Sequence, residues 1–298
     1  MKKDDFVTDM ALDVLERESL CGLSDKRELQ YGIICRRVEL KNAELAKKIG
    51  KERGVYLTYD CPQGVVANTR RARALQSYLA DALVELGGVM GRRGRILVVG
   101  LGNDEVSADS LGARTVRRLA VSSAEVREKG SRGELMACAV GVEGMTGIKS
   151  AEAVEGLCMK LKPTAVFIVD ALATAEPCRL GSSFQLTTAG IAPGSGVGRD
   201  RARIDRTVTG APVVAVGVPM VLAMPTVLRN FTEEYAAATG GKGDEYKLRS
   251  IIAEKRLGGL LVAPKDIVRV VENAALLLAG ALNAAYGEKN RTTTFQAF

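Results

Sequence analysis

The chain has 298 residues, of which 47% are apolar, so it is long enough to bury the core of one large domain or of two smaller ones. Histidine is absent altogether, which excludes Ser-His-Asp triads, Cys-His pairs and catalytic zinc sites with histidine ligands. Any acid–base chemistry near neutral pH must therefore come from aspartate, glutamate, lysine, tyrosine or cysteine.

The net charge of +7 and a local density of arginine between residues 70 and 118 would suit a nucleic-acid partner. No aromatic platform is interleaved with these arginines and tryptophan is absent, which favours solvated helix faces over direct nucleic-acid binding. Six cysteines are scattered without a C-x-x-C pair, and the charged start of the chain does not resemble a signal peptide. We therefore expect reduced thiols and a cytoplasmic protein.

In chain order, the first thirty residues are polar and mixed in charge, and they are typical of an appendage with one short helix at 10–17. Beyond them, strands alternate with helices of about ten residues, which predicts parallel β-α-β units in a single α/β domain over 10–298. Glycines near 239–262 indicate an inserted or mobile segment. The predicted strands are 31–40, 55–59, 95–100, 135–140, 164–170, 182–187 and 212–218, and the predicted helices are 43–49, 68–86, 109–119, 151–161, 221–238 and 266–286.

The last of these helices is apolar around most of its circumference, so we expect it to be buried or to lie at a subunit interface. Glu272, Asn273 and Asn283 interrupt its apolar surface. For that reason we do not predict a membrane span.

Two of the predicted strands are followed by carboxylates. The apolar run at 95–100 leads into a glycine-rich loop and then to Asp109, at a helix start where the helix dipole favours negative charge. The run at 164–170 ends in Asp170. If the two strands are parallel in one sheet, both carboxylates open into one crevice, which is a hydrolytic arrangement. A lone aspartate at a strand end is more often a helix cap or a loop anchor.

The glycine-rich segments support other motifs only weakly. Gly100 and Gly102 begin a dinucleotide-binding pattern, but Glu105 stands where its third glycine is needed. The segment 141–150 lacks the G-K-[ST] of a phosphate loop, and 189–198 is either a tight connection or backbone lining a site. A small-molecule hydrolase or phosphorylase on the same kind of sheet stays open.

Several blocks lie along the chain: V-V-G-L-G-N at 98–103, D-S-L-G at 109–112, G-M-T-G-I at 144–148, K-P-T-A-V-F-I-V-D-A-L-A at 162–173, I-A-P-G-S-G-V-G at 191–198, P-V-V-A-V-G-V-P at 212–219, A-P-K-D-I at 263–267 and L-N-A-A at 282–285. In this order they resemble the germination protease family of spore-forming Firmicutes, endopeptidases that degrade small acid-soluble spore proteins. The resemblance implies an α/β fold with a mostly parallel sheet flanked by helices, similar to the phosphorylase/hydrolase-like fold of the hydrogenase-maturation endopeptidases. It also implies a homotetramer located in the cytoplasm of the spore core.

The resemblance further implies that activity depends on Asp109 and Asp170. We expect one carboxylate to take a proton from water while the other, kept protonated by its neighbour, donates to the scissile group. A nickel-type maturation endopeptidase is an alternative, but that family also uses a histidine to hold the metal, so we predict no metal and no cofactor. The candidate oxyanion donors are the backbone N–H groups of Gly100, Gly102, Asn103, Gly194, Gly196 and Gly198.

The family is made as a zymogen that removes a short N-terminal piece at an acidic residue followed by an apolar one and alanine. The run T-D-M-A at 8–11, followed by Asp13, matches that pattern. The resemblance therefore implies a propeptide over 1–9 and self-cleavage between Asp9 and Met10. The same residues could also simply cap and start a helix, and the two interpretations are compatible.

Overall fold

A nine-stranded mixed sheet organises the part of the chain that the computed structural model describes, namely residues 8–20, 22, 24–66, 69–88, 94–122, 134–194, 202–240, 247, 250–251 and 254–287. The strand order is β1-β2-β3-β7-β8-β6-β4-β5, with β9 paired to β8. The strands are β1 (Ser24–Glu28), β2 (Ile34–Leu40), β3 (Gly54–Asp60), β4 (Arg95–Gly100), β5 (Glu134–Ala139), β6 (Ala165–Ala173), β7 (Ser183–Thr187), β8 (Val213–Ala223) and β9 (Leu261–Val262).

Helices cover both faces of this sheet, which confirms the predicted α/β class with flanking helices. A side-chain cap starts α3, since Thr69 Oγ1 accepts a hydrogen bond from Ala72 N–H at 3.1 Å. The helices are α1 (Ala11–Arg17), α2 (Ala43–Ile49), α3 (Arg70–Gly87), α4 (Leu111–Val116), α5 (Glu143–Thr146), α6 (Ser150–Leu161), α7 (Arg206–Thr209), α8 (Met224–Thr239) and α9 (Ile267–Tyr286).

The sheet has a parallel half and an antiparallel half. Strands β5, β4, β6 and β8 run parallel, as predicted, whereas β1, β2, β3 and β7 pair antiparallel. A parallel crossover needs a dozen or more residues, and the links at 29–33 and 174–182 are too short to provide one. The expectation of a mostly parallel sheet is therefore corrected to a mixed one.

The prediction that residues 1–30 form an appendage is wrong for α1. Met10 and Ala11 are fully buried, and Ala11 and Leu15 belong to one apolar cluster with Tyr56 of β3. Many of the polar residues that suggested an appendage lie on β1, an exposed edge strand that the sequence did not predict, whereas Asp13 of α1 is buried.

Successive side chains of each strand point to opposite faces of the sheet, so each strand contributes to two apolar clusters, one on each face. On β4, Ile96 and Val98 face the cluster formed with α3, α4 and α9, while Leu97 and Val99 face α6. Strand β8 runs on to Ala223, so α8 begins at Met224 instead of at 221.

Helix α9 is a core helix of the described structure. Its mean hydropathy of 1.4 would suit a membrane span by length and composition alone. It packs instead on α3, where Tyr286 Oη donates to the carbonyl of Leu83 at 2.9 Å. The predicted insertion near 239–262 lies partly outside the described residues and stays a prediction.

Candidate functional site

Asp170 lies on β6 just beyond the point where the neighbouring strand β4 stops. The last β4 pair joins Gly100 to Val169, so Asp170 is paired on one side only, with Gly217 of β8. The residue is 5% exposed, and Oδ1 accepts a hydrogen bond from Ala171 N–H at 2.9 Å. The step between the two strand ends thus leaves a carboxylate at the edge of a cleft, as expected for a parallel sheet.

Asp109 is held by the loop that follows β4. Its Oδ2 accepts a hydrogen bond from Asn103 N–H at 2.7 Å, and its own N–H donates to Val106 O at 2.8 Å. Gly102, at φ +103°, approaches so closely that a Cβ there would stand 2.0 Å from Asp109 O. Only glycine, which has no Cβ, adopts this positive φ readily and also fits this close to Asp109.

The structure brings Asp109 and Asp170 into the wall of one cavity of about 350 Å³. Of the predicted backbone donors, Gly102, Asn103 and Gly194 line this cavity. The N–H of Asn103 already donates its hydrogen bond to Asp109, so it orients the aspartate and is not available as an oxyanion donor.

Gly100 has a packing role instead, because it lies under α4, where a Cβ would meet Gly112 O at 2.3 Å. The remaining two predicted donors, Gly196 and Gly198, lie outside the described residues.

The predicted cleavage segment reaches the same cavity, since Asp9 lies in its wall. The N–H of Asp9 donates to Ala173 O at 2.9 Å, and the Ala173 N–H donates back to Asp9 Oδ2 at 2.8 Å. These two bonds attach Asp9 to the end of β6, three residues beyond Asp170. The next residue, Met10, is fully buried at the start of α1.

On its other side Asp9 borders a second cavity of about 310 Å³. Lys51 Nζ donates to the Asp9 carbonyl at 2.9 Å and to the Thr8 carbonyl at 3.0 Å. Gln185 Nε2 donates to the same Asp9 carbonyl at 3.4 Å, and Gln185 Oε1 accepts from Ala11 N–H at 2.8 Å. Burial lowers the pKa of the Lys51 ammonium, and the charges of Asp9 and Asp13 oppose that shift.

Sequence reasoning missed both of these residues. Lys51 follows Gly50, whose left-handed conformation ends α2, and Gln185 lies in a short strand with no catalytic motif. The available signals were a polar residue inside a predicted buried strand and a lysine placed by a helix-ending glycine.

A buried ion pair anchors the start of α1 beside this site. Asp13 is 2% exposed, pairs with Arg179, and accepts hydrogen bonds at Oδ2 from Thr8 Oγ1 at 2.6 Å and Ala175 N–H at 2.6 Å. Arg179 also binds both oxygens of Glu16 at 2.7 Å. A buried carboxylate needs such partners, so this network sets the path of Thr8 and Asp9.

Among the described residues, no three Cys, Asp or Glu side chains come close enough to hold a metal ion. The cysteines in that part of the chain are free thiols, and burial raises the pKa of Cys61 to about 12 and that of Cys158 to about 11. These thiols are therefore protonated near neutral pH and poor nucleophiles.

Comparison with known proteins agrees with the blocks seen in the sequence. The family model described as "Germination protease" matches residues 5–235. The germination protease of Caldanaerobacter subterraneus subsp. tengcongensis is 31% identical, over 93% of this chain and 93% of that protein. That of Clostridium acetobutylicum is 28% identical, over 93% of this chain and 94% of that protein.

Among solved structures, the [NiFe] hydrogenase maturation protease HycI from Thermococcus kodakarensis KOD1 aligns with 70% of this chain and 99% of its own. The TM-score is 0.37 and the identity 18%, so the fold description rests on the strand order of this chain itself. The family model spans most of the sequence and the first of these relatives covers nearly all of it. The chain therefore belongs to the germination protease family, and it is a peptidase.

Proposed function

We propose that this protein is an endopeptidase that begins the degradation of small acid-soluble spore proteins, and that it is made as a zymogen which cuts its own chain between Asp9 and Met10. One observation carries the proposal: Asp9 lies in the wall of the cavity that Asp109 and Asp170 share. Membership of the germination protease family supports the substrate class. The residues to be removed are then 1–9, and 10–298 form the mature peptidase.

In the proposed mechanism the two aspartates act as a general base and a general acid. One carboxylate is ionised and accepts a proton from the attacking water, and the other is protonated and donates to the leaving amine. Two close carboxylates titrate as a pair, so the roles belong to the pair and are not assigned to single residues. No metal, cofactor or covalent enzyme intermediate takes part in this scheme.

The proposal extends to the setting of the enzyme. The family resemblance supports a homotetramer acting in the cytoplasm of the spore core, without a membrane anchor and without direct binding to nucleic acid. The free thiols described above suit a reducing compartment.

The test is intact-mass analysis of the purified protein before and after incubation at mildly acidic pH. We expect the wild type to lose residues 1–9 and Asp109→Asn to keep its full mass. Asp104→Asn is the matched control, because Asp104 belongs to the same loop but pairs with Arg117 outside the cavity. If the wild type keeps its mass and also fails to cut an added spore protein, the proposed function is wrong.

A further inference from the structure

The peptide bond between Asp9 and Met10 has an unusual arrangement of hydrogen bonds. In an ordinary strand pair, the Ala173 N–H would bond a main-chain carbonyl, but here it bonds the Asp9 side chain at 2.8 Å. The Asp9 carbonyl is turned instead towards Lys51 and Gln185, at 2.9 and 3.4 Å. The carbonyl group of the proposed scissile peptide therefore has two side-chain donors.

The sheet register places Gln185, one of these donors, two strands away from Asp170. Asp170 pairs with Gly217 of β8, and Gly217 pairs with Gln185 of β7. Directly paired residues point to the same sheet face, so the side chains of Asp170 and Gln185 lie in one row, separated by a residue without a side chain. The usual strand spacing puts their backbones about 10 Å apart. The Leu172 side chain covers Gly217 between them, since a Cβ at Gly217 would stand 2.4 Å from Leu172 Cγ, and Leu172 lines both cavities that Asp9 borders.

The partners of Lys51 argue against a purely structural role. Within the described part of the chain, Nζ bonds two main-chain carbonyls and makes no ion pair within 4.0 Å. Lys51 is half-buried, its hydrogen-bond acceptors are neutral carbonyls, and the charges of Asp9 and Asp13 act on it from a longer distance. Such a cation suits a position where negative charge develops during a reaction.

We propose that Lys51 and Gln185 form the carbonyl-binding site of this peptidase, which holds the oxygen of the scissile peptide and stabilises its negative charge when water adds to the carbon. The proposal rests on the proposed function and adds a second group of residues to it. The acidic residue before the cut is bound at the same time, through the Ala173 N–H.

The steps balance without any further reactant. Water attacks the Asp9 carbonyl carbon and gives one proton to the ionised aspartate, while the carbonyl π electrons move to the oxygen. Lys51 and Gln185 bind that oxyanion and keep their own protons. When the oxyanion collapses, the C–N bond breaks, and the protonated aspartate gives its proton to the Met10 nitrogen.

The first experiment compares initial rates of self-cleavage by intact mass in wild type, Lys51→Met, Lys51→Arg and Gln185→Glu. The loss of one oxyanion donor costs about 100-fold or more, which we expect for Lys51→Met, and Lys51→Arg should recover at least about a tenth of the wild-type rate. Gln185→Glu keeps the acceptor for Ala11 N–H but loses the donor, so its rate should also fall. Lys48→Met, on the exposed side of α2, is the matched control.

Each variant is also tested on a peptide copied from residues 5–14, and its thermal unfolding is recorded. If the folded Lys51→Met variant cleaves itself and the peptide within about threefold of wild type, the carbonyl-site proposal is overturned while the proposed function stands. If wild type cleaves neither, the proposed function fails and this inference fails with it.

A second measurement does not depend on activity. Asp-Met occurs once in the sequence, so ¹³C-carbonyl aspartate with ¹⁵N methionine isolates the Asp9 carbonyl resonance. In the Asp109→Asn background, which should prevent cleavage, we expect a downfield carbonyl that moves upfield in Lys51→Met. An unchanged resonance would overturn the contact and the proposal, even if Lys51→Met were too unstable for kinetics.

Discussion

The two halves of the sheet contribute differently to the site. The parallel half supplies the aspartates, because Asp170 on β6 lies just beyond the end of the neighbouring strand β4, and the loop that holds Asp109 follows β4. The antiparallel half supplies the groups around the proposed cleavage segment, with Gln185 on β7 and Lys51 before β3. Strand-end carboxylates follow a general rule of α/β sheets, whereas the groups from the antiparallel half come from this particular arrangement of strands.

The strongest test of the parallel half is Asp170→Asn. The amide cannot act as a general acid or base, so we expect self-cleavage to slow by about 100- to 10,000-fold. Rates come from intact mass, and cleavage of the 5–14 peptide should fall in parallel. A near-normal rate would remove Asp170 from the mechanism.

The attachment of α1, which carries the proposed cleavage segment next to the antiparallel half, is tested through Arg179. This residue lies between β6 and β7 and pairs with Asp13 and Glu16 of α1. Arg179→Met leaves the buried Asp13 carboxylate without its ion-pair partner, so the free energy of unfolding should fall by about 3–5 kcal/mol. Urea unfolding measures the change. Arg27→Met removes an exposed pair with Asp25 and should cost less than about 1 kcal/mol. Equal losses would show that the Asp13 network does not anchor α1.

Gly102→Ala examines how precisely the Asp109 loop must be built. The added methyl would stand 2.0 Å from Asp109 O at φ +103°, so we expect about 1–3 kcal/mol of destabilisation and displacement of the aspartate. Activity should therefore fall more than stability alone explains. Gly144→Ala is the control, since a Cβ at Gly144 has no atom within 4 Å. Unchanged kinetics in Gly102→Ala would mean that the loop tolerates movement.

The smallest effect is expected at Glu176, at the junction of the two halves. Burial and the nearby charge of Asp13 raise the pKa of this carboxyl group above its ordinary 4.5. A raised pKa penalises the folded state where the group is ionised, so Glu176→Gln should slightly raise the thermal midpoint at pH 7. The gain should disappear as the pH falls below 4.5, where the carboxyl group is protonated in both states. Exposed Glu155→Gln should have no effect, and a lower midpoint in Glu176→Gln at pH 7 would contradict the prediction.

The order of the helices and of the parallel strands was largely readable from residue patterns. The apolar run at 95–100 and the helical spacing at 68–86 predicted β4 and α3 closely, because buried strands and amphipathic helices have distinct periods. The pattern did not reveal β1, whose residues are all polar, nor the burial of α1. An exposed edge strand needs few apolar side chains, so it leaves no apolar pattern in the sequence. A helix of seven residues is too short to show a clear helical repeat of apolar residues.

The sequence by itself determined the α/β class, the absence of histidine chemistry, the acids at 109 and 170, and the pattern around the proposed cleavage point at 9–10. Only the tertiary structure decided that Asp9 lies in the wall of the cavity that those acids share, and that Lys51 and Gln185 donate hydrogen bonds to its carbonyl. The reason is physical: local periods and strand ends depend on neighbouring residues, whereas contacts between residues far apart in the chain, such as Asp9 with Ala173, depend on how the strands are ordered in the sheet.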